Sequence, residues 1–173
     1  MSDTSMKLAA GSTFPQMSWP TVAHTDYAPA ARDGWRAVVV YRGKHCPLCR
    51  KYLVELQQLQ ARAHELGVDV VAVSADPRDR AAAQVAESGL TFPVACELSV
   101  EQMKRLGLYV SAPRSPEETD RPFAEPGLFV INPQGNLQII DVSNAPFARP
   151  ALAQVFDGIE LIQTKDYPIR GTA

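Results

Sequence analysis

Apolar and polar positions change period several times along the chain, and each change predicts an element. Ala37 to Tyr41 (AVVVY) is a nearly continuous apolar run, as expected of a short strand buried on both faces. From Leu48 the period becomes helical. Leu48, Tyr52, Leu56, Leu59, Ala63 and Leu66 recur at helical spacing, while Arg50, Lys51, Glu55, Gln58, Arg62 and Glu65 fill the other faces. Pro47 suits the first helical position and Gly67 the stop, so one long helix is predicted between them. Val68 to Ser74 (VDVVAVS) is a second apolar strand. Strand, helix and strand make a βαβ unit, which implies parallel pairing.

Further along, Pro77 opens a helix over Arg78 to Glu87 that Gly89 ends, and Phe92 to Cys96 (FPVAC) reads as a short strand. Ser99 to Leu106 is a short helix with Ser99 as its cap. Residues 111–126 hold Pro113, Pro116, Pro122 and Pro126 among many charges and are expected to be a loop. Leu128 to Asn132 (LFVIN), the turn Pro133 to Asn136 (PQGN) and Leu137 to Val142 (LQIIDV) predict a hairpin. Pro150 opens a last helix, and the tail over 165–173 is irregular. Residues 1–35, with Pro15, Pro20 and Pro29 spread through them, read as an extended arm with a short hairpin, packed on the domain. The whole, 1–173, is expected to be one α/β domain, and 173 residues suffice for a full core.

A formal net charge of -2 argues against a general nucleic-acid binder or a binder of anionic membranes, since both need a basic face. No apolar run is long enough to span a bilayer, and MSDTSMKLAAGST does not read as a secretory signal. A cytoplasmic location is the expectation.

Three cysteines do not make a disulfide scaffold. Two of them, Cys46 and Cys49, form Cys46-Pro47-Leu48-Cys49 directly after a buried strand and at a helix start. The first helical turn has unpaired N–H groups and partial positive charge, which stabilise a thiolate at Cys46. Lys44, His45, Arg50 and Lys51 add positive charge nearby. Such surroundings bring a thiol down from about 8.5 toward neutral pH. Cys49, three residues on, faces the same side and is placed to resolve a mixed disulfide. His45 is a candidate for tuning Cys46 or moving a proton. The competing readings are two inert thiols or a zinc clip. Zinc needs four ligands, and only Cys96, His24, His45 and His64 remain to complete a site, with no second pair at the usual spacing. No metal and no organic cofactor is expected, because sulfur carries the electrons. Cys96, after Phe92-Pro93, reads first as a small buried hydrophobe and second as a resolving thiol.

The segments VVVYRGKHCPLCRKYLVEL, VDVVAVSAD, FPVACE, LGLYV and GLFVINPQGN, in this order after an N-terminal arm, resemble the peroxiredoxin-like (alkyl hydroperoxide reductase/thiol-specific antioxidant) branch of the thioredoxin superfamily. The resemblance covers roughly residues 10–145. It implies a thioredoxin-like fold, a central mixed β-sheet flanked by helices, with the redox site at the head of the first long helix. It implies antioxidant or thiol–disulfide activity on a disulfide or peroxide, supported by a thioredoxin-type or glutathione-type reductant. Dimers are frequent in the superfamily, so a homodimer is among the states it implies.

Two departures qualify the resemblance. Peroxiredoxins carry a Pro, then a Thr or Ser three residues before the peroxide-attacking Cys. Aligned on strand and helix, Cys49 takes that Cys position, Cys46 replaces the Thr and Arg42 the Pro. The family's activating Arg, just before the strand matching LFVIN, is here replaced by Glu125-Pro126. Arg42, Arg114 and Arg121 are the candidates to substitute for it. Glu125-Pro126 itself resembles the cis X-Pro step that lies against the Cys-X-X-Cys of thioredoxins, so Pro126 is expected to face the disulfide and shape the substrate groove, either through a cis bond or as a trans proline that ends the loop.

The resulting expectation is a thiol–disulfide oxidoreductase that cycles through a Cys46–Cys49 disulfide. The alternatives are a peroxidase with Cys49 as the attacking thiol, and a non-enzymatic redox sensor that binds a partner when oxidised.

Overall fold

The computed structural model describes residues 6–173, so the first five residues of the expected arm lie outside the described residues. The arm carries β1 (Trp19–Pro20) and β2 (Asp26–Tyr27), which pair antiparallel as the expected short hairpin. The apolar run becomes β3 (Trp35–Val40), followed by α1 (Pro47–Gln58), α2 (Gln60–Glu65) and β4 (Val68–Val73). Then come α3 (Arg78–Ser88), β5 (Val94–Ala95), α4 (Val100–Arg105), β6 (Val110–Ser111), β7 (Phe123–Ala124), β8 (Gly127–Ile131), β9 (Leu137–Val142) and α5 (Leu152–Lys165).

Five strands form one mixed sheet in the order β5-β4-β3-β8-β9. β3 pairs parallel with β4 and antiparallel with β8, and β8 pairs antiparallel with β9. The register sets Val40 opposite Gly127, and Gly127 opposite Val142. The C-terminal ends of β3 and β9 and the N-terminal end of β8 therefore share one edge of the sheet.

Alternation along β3 divides the core in two, because successive strand side chains point to opposite faces. Ala37, Val39 and Tyr41 pack with Leu53 and Leu56 of α1 and Phe156 and Ile159 of α5. Val38 and Val40 pack with Met103 and Leu106 around α4 and with Phe14, Trp19 and Tyr27 of the arm. The arm thus covers the face that the longer helices leave free. One buried Arg, Arg36, is satisfied by carbonyls of Pro29, Arg32 and Asn132.

Three expectations are corrected. The segment 111–126, expected as a loop, contributes Ser111 of β6 and all of β7, which pair antiparallel. The predicted single helix breaks at Leu59 (φ -96°, ψ 6°) into α1 and α2. The break keeps Ala63 buried beside β4 while Arg62 reaches Glu160 and Asp157 of α5. Pro126 is not cis: there is no cis peptide bond among the described residues. Glu125 N–H donates to the Tyr109 carbonyl and the Pro126 carbonyl accepts from Ser143. These two bonds hold the step from β7 into β8 between Tyr109 and Ser143.

Candidate active site

β3 ends at the sheet edge, and the loop Tyr41 to Cys46 delivers the chain to the N-terminus of α1. Gly43 sits at φ +135°, and a Cβ there would lie 2.9 Å from Asp76 Oδ1 and 3.0 Å from His45 Nδ1. Glycine permits both the conformation and the close approach. The buried Asp76 carboxylate accepts the Lys44 backbone N–H at 2.7 Å and so ties this loop to the end of β4. Burial pushes the Asp76 carboxyl up, against the opposing hydrogen bond from Lys44.

Cys46 is the N-cap of α1, in extended conformation, and its Sγ accepts the Cys49 backbone N–H at 3.2 Å. A Ser or Thr oxygen commonly fills this position at a helix start; here sulfur takes it. Pro47 follows at the first helical position. Both Cys46 and Cys49 are buried, as free thiols.

The Cys49 thiol donating to Cys46 pulls the Cys46 thiol down to about 5, against burial; the Cys49 N–H, a hydrogen bond from the Arg42 side chain and the charge of Arg149 act in the same direction. Cys49 moves up instead, because it is desolvated and faces the Cys46 thiolate. The pair thus carries one negative charge and one shared proton, with the charge on Cys46.

Two guanidinium groups converge on the sulfurs. Arg42, on the loop after β3, lies over the Phe123 ring at 4.9 Å and favours the ionised Cys46 thiol. Two buried carboxylates frame it: Glu125 Oε2 stands 3.0 Å from Nε, and Glu118 Oε1 3.8 Å from a terminal nitrogen. Ser111 Oγ holds the other Glu125 oxygen at 2.8 Å. Arg149, on the loop between β9 and α5, donates to Cys49 Sγ at 3.1 Å and lies 4.0 Å from Cys46 Sγ. Its Nε donates to the Pro146 carbonyl at 2.7 Å, and it stacks over the Tyr52 ring at 4.9 Å. Tyr52 Oη in turn donates to the Pro150 carbonyl at 2.8 Å, pinning the loop to α1.

The remaining residues singled out in the sequence are placed as follows. Lys44 Nζ pairs with Glu87 at 3.4 Å. The His45 ring meets Phe123 edge-on at 4.7 Å, and burial and Arg42 push it toward the neutral form. Pro126 lines, with Tyr52 and Arg149, a cavity of about 10 Å³ beside the site. Of the three candidate arginines Arg42 is the one that lowers the Cys46 thiol. Arg114 pairs with Glu118, and Arg121 is engaged by Asp120, Glu97 and the Ala75 carbonyl. Cys96 is buried at the end of β5, its Sγ 3.3 Å from the Pro20 carbonyl. Tyr41 is buried after β3, and burial pushes its hydroxyl up. Among the described residues no group of three or more His, Cys, Asp or Glu side chains is set to hold a metal ion. Likewise, no helix there is long and apolar enough to cross a membrane.

Arg149 is the site residue the sequence reading missed. Its signal is weak: an Arg in the proline-bounded segment Pro146-Phe147-Ala148-Arg149-Pro150, which follows a strand whose C-terminal end returns to the cysteine edge.

The arrangement is suited to thiol chemistry: an ionised sulfur at a helix cap, a second thiol one turn on, and guanidinium groups against both. The solved structures it resembles share its scaffold. Peroxiredoxin 6 of Arenicola marina superposes with a TM-score of 0.75 at 18% identity, over 92% of this chain and 75% of its own. Peroxidoxin BcpB from Mycobacterium tuberculosis gives 0.74 at 16%, over 90% and 98%. AhpC of Mycobacterium bovis gives 0.76 at 14%, over 95% and 98%. At these identities the likeness speaks to the fold, which is thioredoxin-like. No curated protein sequence matches the chain significantly. The sequence profile of the AhpC/TSA family matches residues 10–140, three quarters of the chain and all of the Cys-X-X-Cys segment. By that match the chain belongs to the AhpC/TSA family and is a thiol-dependent oxidoreductase with an antioxidant role.

Proposed function

We propose that Cys46 and Cys49 are the redox pair, cycling between dithiol and disulfide. Cys46 is the attacking thiol and Cys49 resolves. The observation that carries this is the Cys46 sulfur at the cap of α1, accepting the Cys49 N–H at 3.2 Å. With a disulfide substrate, the Cys46 thiolate bonds to one substrate sulfur and expels the other as a thiolate. Cys49 then attacks Cys46 Sγ, expels the second substrate thiolate and leaves the Cys46–Cys49 disulfide. Two electrons pass from the protein dithiol to the substrate. An external dithiol of thioredoxin or glutathione type returns them. With a peroxide, the first step leaves a Cys46 sulfenic acid and an alcohol or water, and Cys49 closes the same disulfide with loss of water.

A second reading makes Cys49 the peroxide-attacking thiol, in the position the family gives that residue. Arg149 at 3.1 Å from Cys49 Sγ favours it. Members of the family act on peroxides with thiol reductants and often form dimers. We extend this to a single-domain protein, cytoplasmic, with a homodimer as its expected assembly.

The test is NADPH consumption coupled through thioredoxin and thioredoxin reductase, with hydrogen peroxide or a disulfide as substrate, comparing wild type, Cys46→Ser and Cys49→Ser. Turnover lost in both variants supports the Cys46–Cys49 cycle. Peroxide turnover that survives Cys46→Ser but not Cys49→Ser establishes the second reading and removes the first.

A further inference from the structure

Cys49 is buried, protonated and next to a thiolate, which is a poor state for a resolving nucleophile. It must lose a proton after Cys46 has reacted. The charges that act on it include the Cys46 sulfur on its own turn and Arg149 from the loop after β9, whose guanidinium donates to Cys49 Sγ at 3.1 Å. While Cys46 is a thiolate, its charge opposes ionisation of Cys49. Once the Cys46 sulfur is bonded to substrate, that charge is gone, and Arg149 is the full opposite charge left in contact with Cys49.

We infer that Arg149 is a catalytic residue of the second step, its guanidinium on Cys49 Sγ stabilising the thiolate that closes the Cys46–Cys49 disulfide. This rests on the cycle proposed above. The guanidinium is held in place independently of the sulfurs. Nε is fixed by the Pro146 carbonyl at 2.7 Å, the planar group lies on Tyr52, and Tyr52 Oη anchors Pro150 next in sequence. An arginine so fixed need not reorganise when charge moves from Cys46 to Cys49, which is what makes a preorganised charge effective. Arg42 cannot serve Cys49 in the same way, because its side chain is turned to Cys46 and partly neutralised by Glu125 and Glu118. Arg42 thus acts on the first thiolate, and Arg149, which also faces Cys46, is the arginine in hydrogen-bond contact with the second.

The step balances. In the mixed disulfide Cys49 gives its proton to solvent, its thiolate forms a bond to Cys46 Sγ, and the bond from Cys46 to the substrate sulfur breaks. The departing thiolate takes up a proton, and the electron pair that leaves with it is matched by the pair Cys49 supplies.

The neutral disulfide dithiodipyridine separates the two steps, since each releases one coloured thiopyridone. In a Cys96→Ser background the protein releases the first when Cys46 attacks and the second when Cys49 closes the ring. Arg149→Gln is expected to change the first phase by less than about twofold and to slow the second about tenfold or more at neutral pH, moving its pH midpoint up by about one to three units. Arg149→Lys restores most of the second phase. The inference is overturned if the second phase is unchanged in Arg149→Gln, or if both phases slow by the same factor. A first phase that survives Cys46→Ser and disappears in Cys49→Ser refutes the underlying cycle instead, whatever Arg149 does.

Discussion

At Cys46 several donors oppose burial over a single proton, and the donors win. Its folded value, about 5, lies well under the ordinary thiol value of about 8.5. Alkylation by iodoacetamide, followed by mass spectrometry, should therefore label Cys46 first, with a rate half-maximal near pH 5. Labelling that falls first on Cys49, or a midpoint near the ordinary value, contradicts this. Arg42→Met keeps a long side chain over Phe123 but removes one opposite charge. It should raise the Cys46 midpoint by about one unit or more, read from the ultraviolet absorbance of the thiolate against pH. The cysteine pair was legible in the sequence because everything that makes it reactive is local: a strand end, a proline, a helix start. Glu125 was legible as a departure from the family pattern, but its partnership with Arg42 was not. Arg149 was not legible, because it stands 100 residues beyond Cys49 and only the fold of β9 back to the same edge brings it there.

Helix α4 shows how far local rules reach at the scale of elements. Ser99 was readable as its cap, and the structure completes a capping box: Ser99 Oγ accepts the Gln102 N–H at 3.1 Å, and the Gln102 side chain accepts the Ser99 N–H at 3.1 Å. The cap matters beyond its helix, since α4 places Met103 and Leu106 fully in the core under the sheet. Ser99→Ala should cost about 1 kcal/mol in urea unfolding. A loss indistinguishable from zero would mean that the tertiary packing alone fixes α4. The break at Leu59 lay beyond such rules. The apolar spacing from Leu48 to Leu66 is continuous across it, and what bends the chain is the packing of α2 on β4, a contact that periodicity does not encode. The hairpin of β8 and β9 was readable from both runs and the PQGN turn. The pairing of β6 with β7 was hidden among prolines and charges that looked like loop.

For the whole molecule, the charge on one buried sulfur decides which redox form is the more stable. Closing Cys46 to Cys49 constrains a loop of only four residues, so the chain-entropy gain from the disulfide is on the order of 2 kcal/mol. Against it stands the thiolate of the reduced form. A thiol whose folded value is depressed contributes stability that is fully present above its unfolded value and is lost as pH falls through the folded one. With Cys46 near 5 folded and about 8.5 unfolded, each intervening unit is worth about 1.4 kcal/mol, so the contribution at pH 8 is about 4 kcal/mol and at pH 5 close to nothing. The two terms therefore cross. At pH 8 the dithiol protein should resist urea better than the disulfide protein, and at pH 5 the order should reverse. Asp76 and the other titrating groups are present in both forms, so the difference between the two curves reports the cysteine pair together with its coupling to His45. Cys46→Ser should remove the pH-dependent increment of the reduced protein. If the disulfide form is the more stable at both pH values, the thiolate is not held by the fold, and the helix cap and the two arginines do not tune this pair.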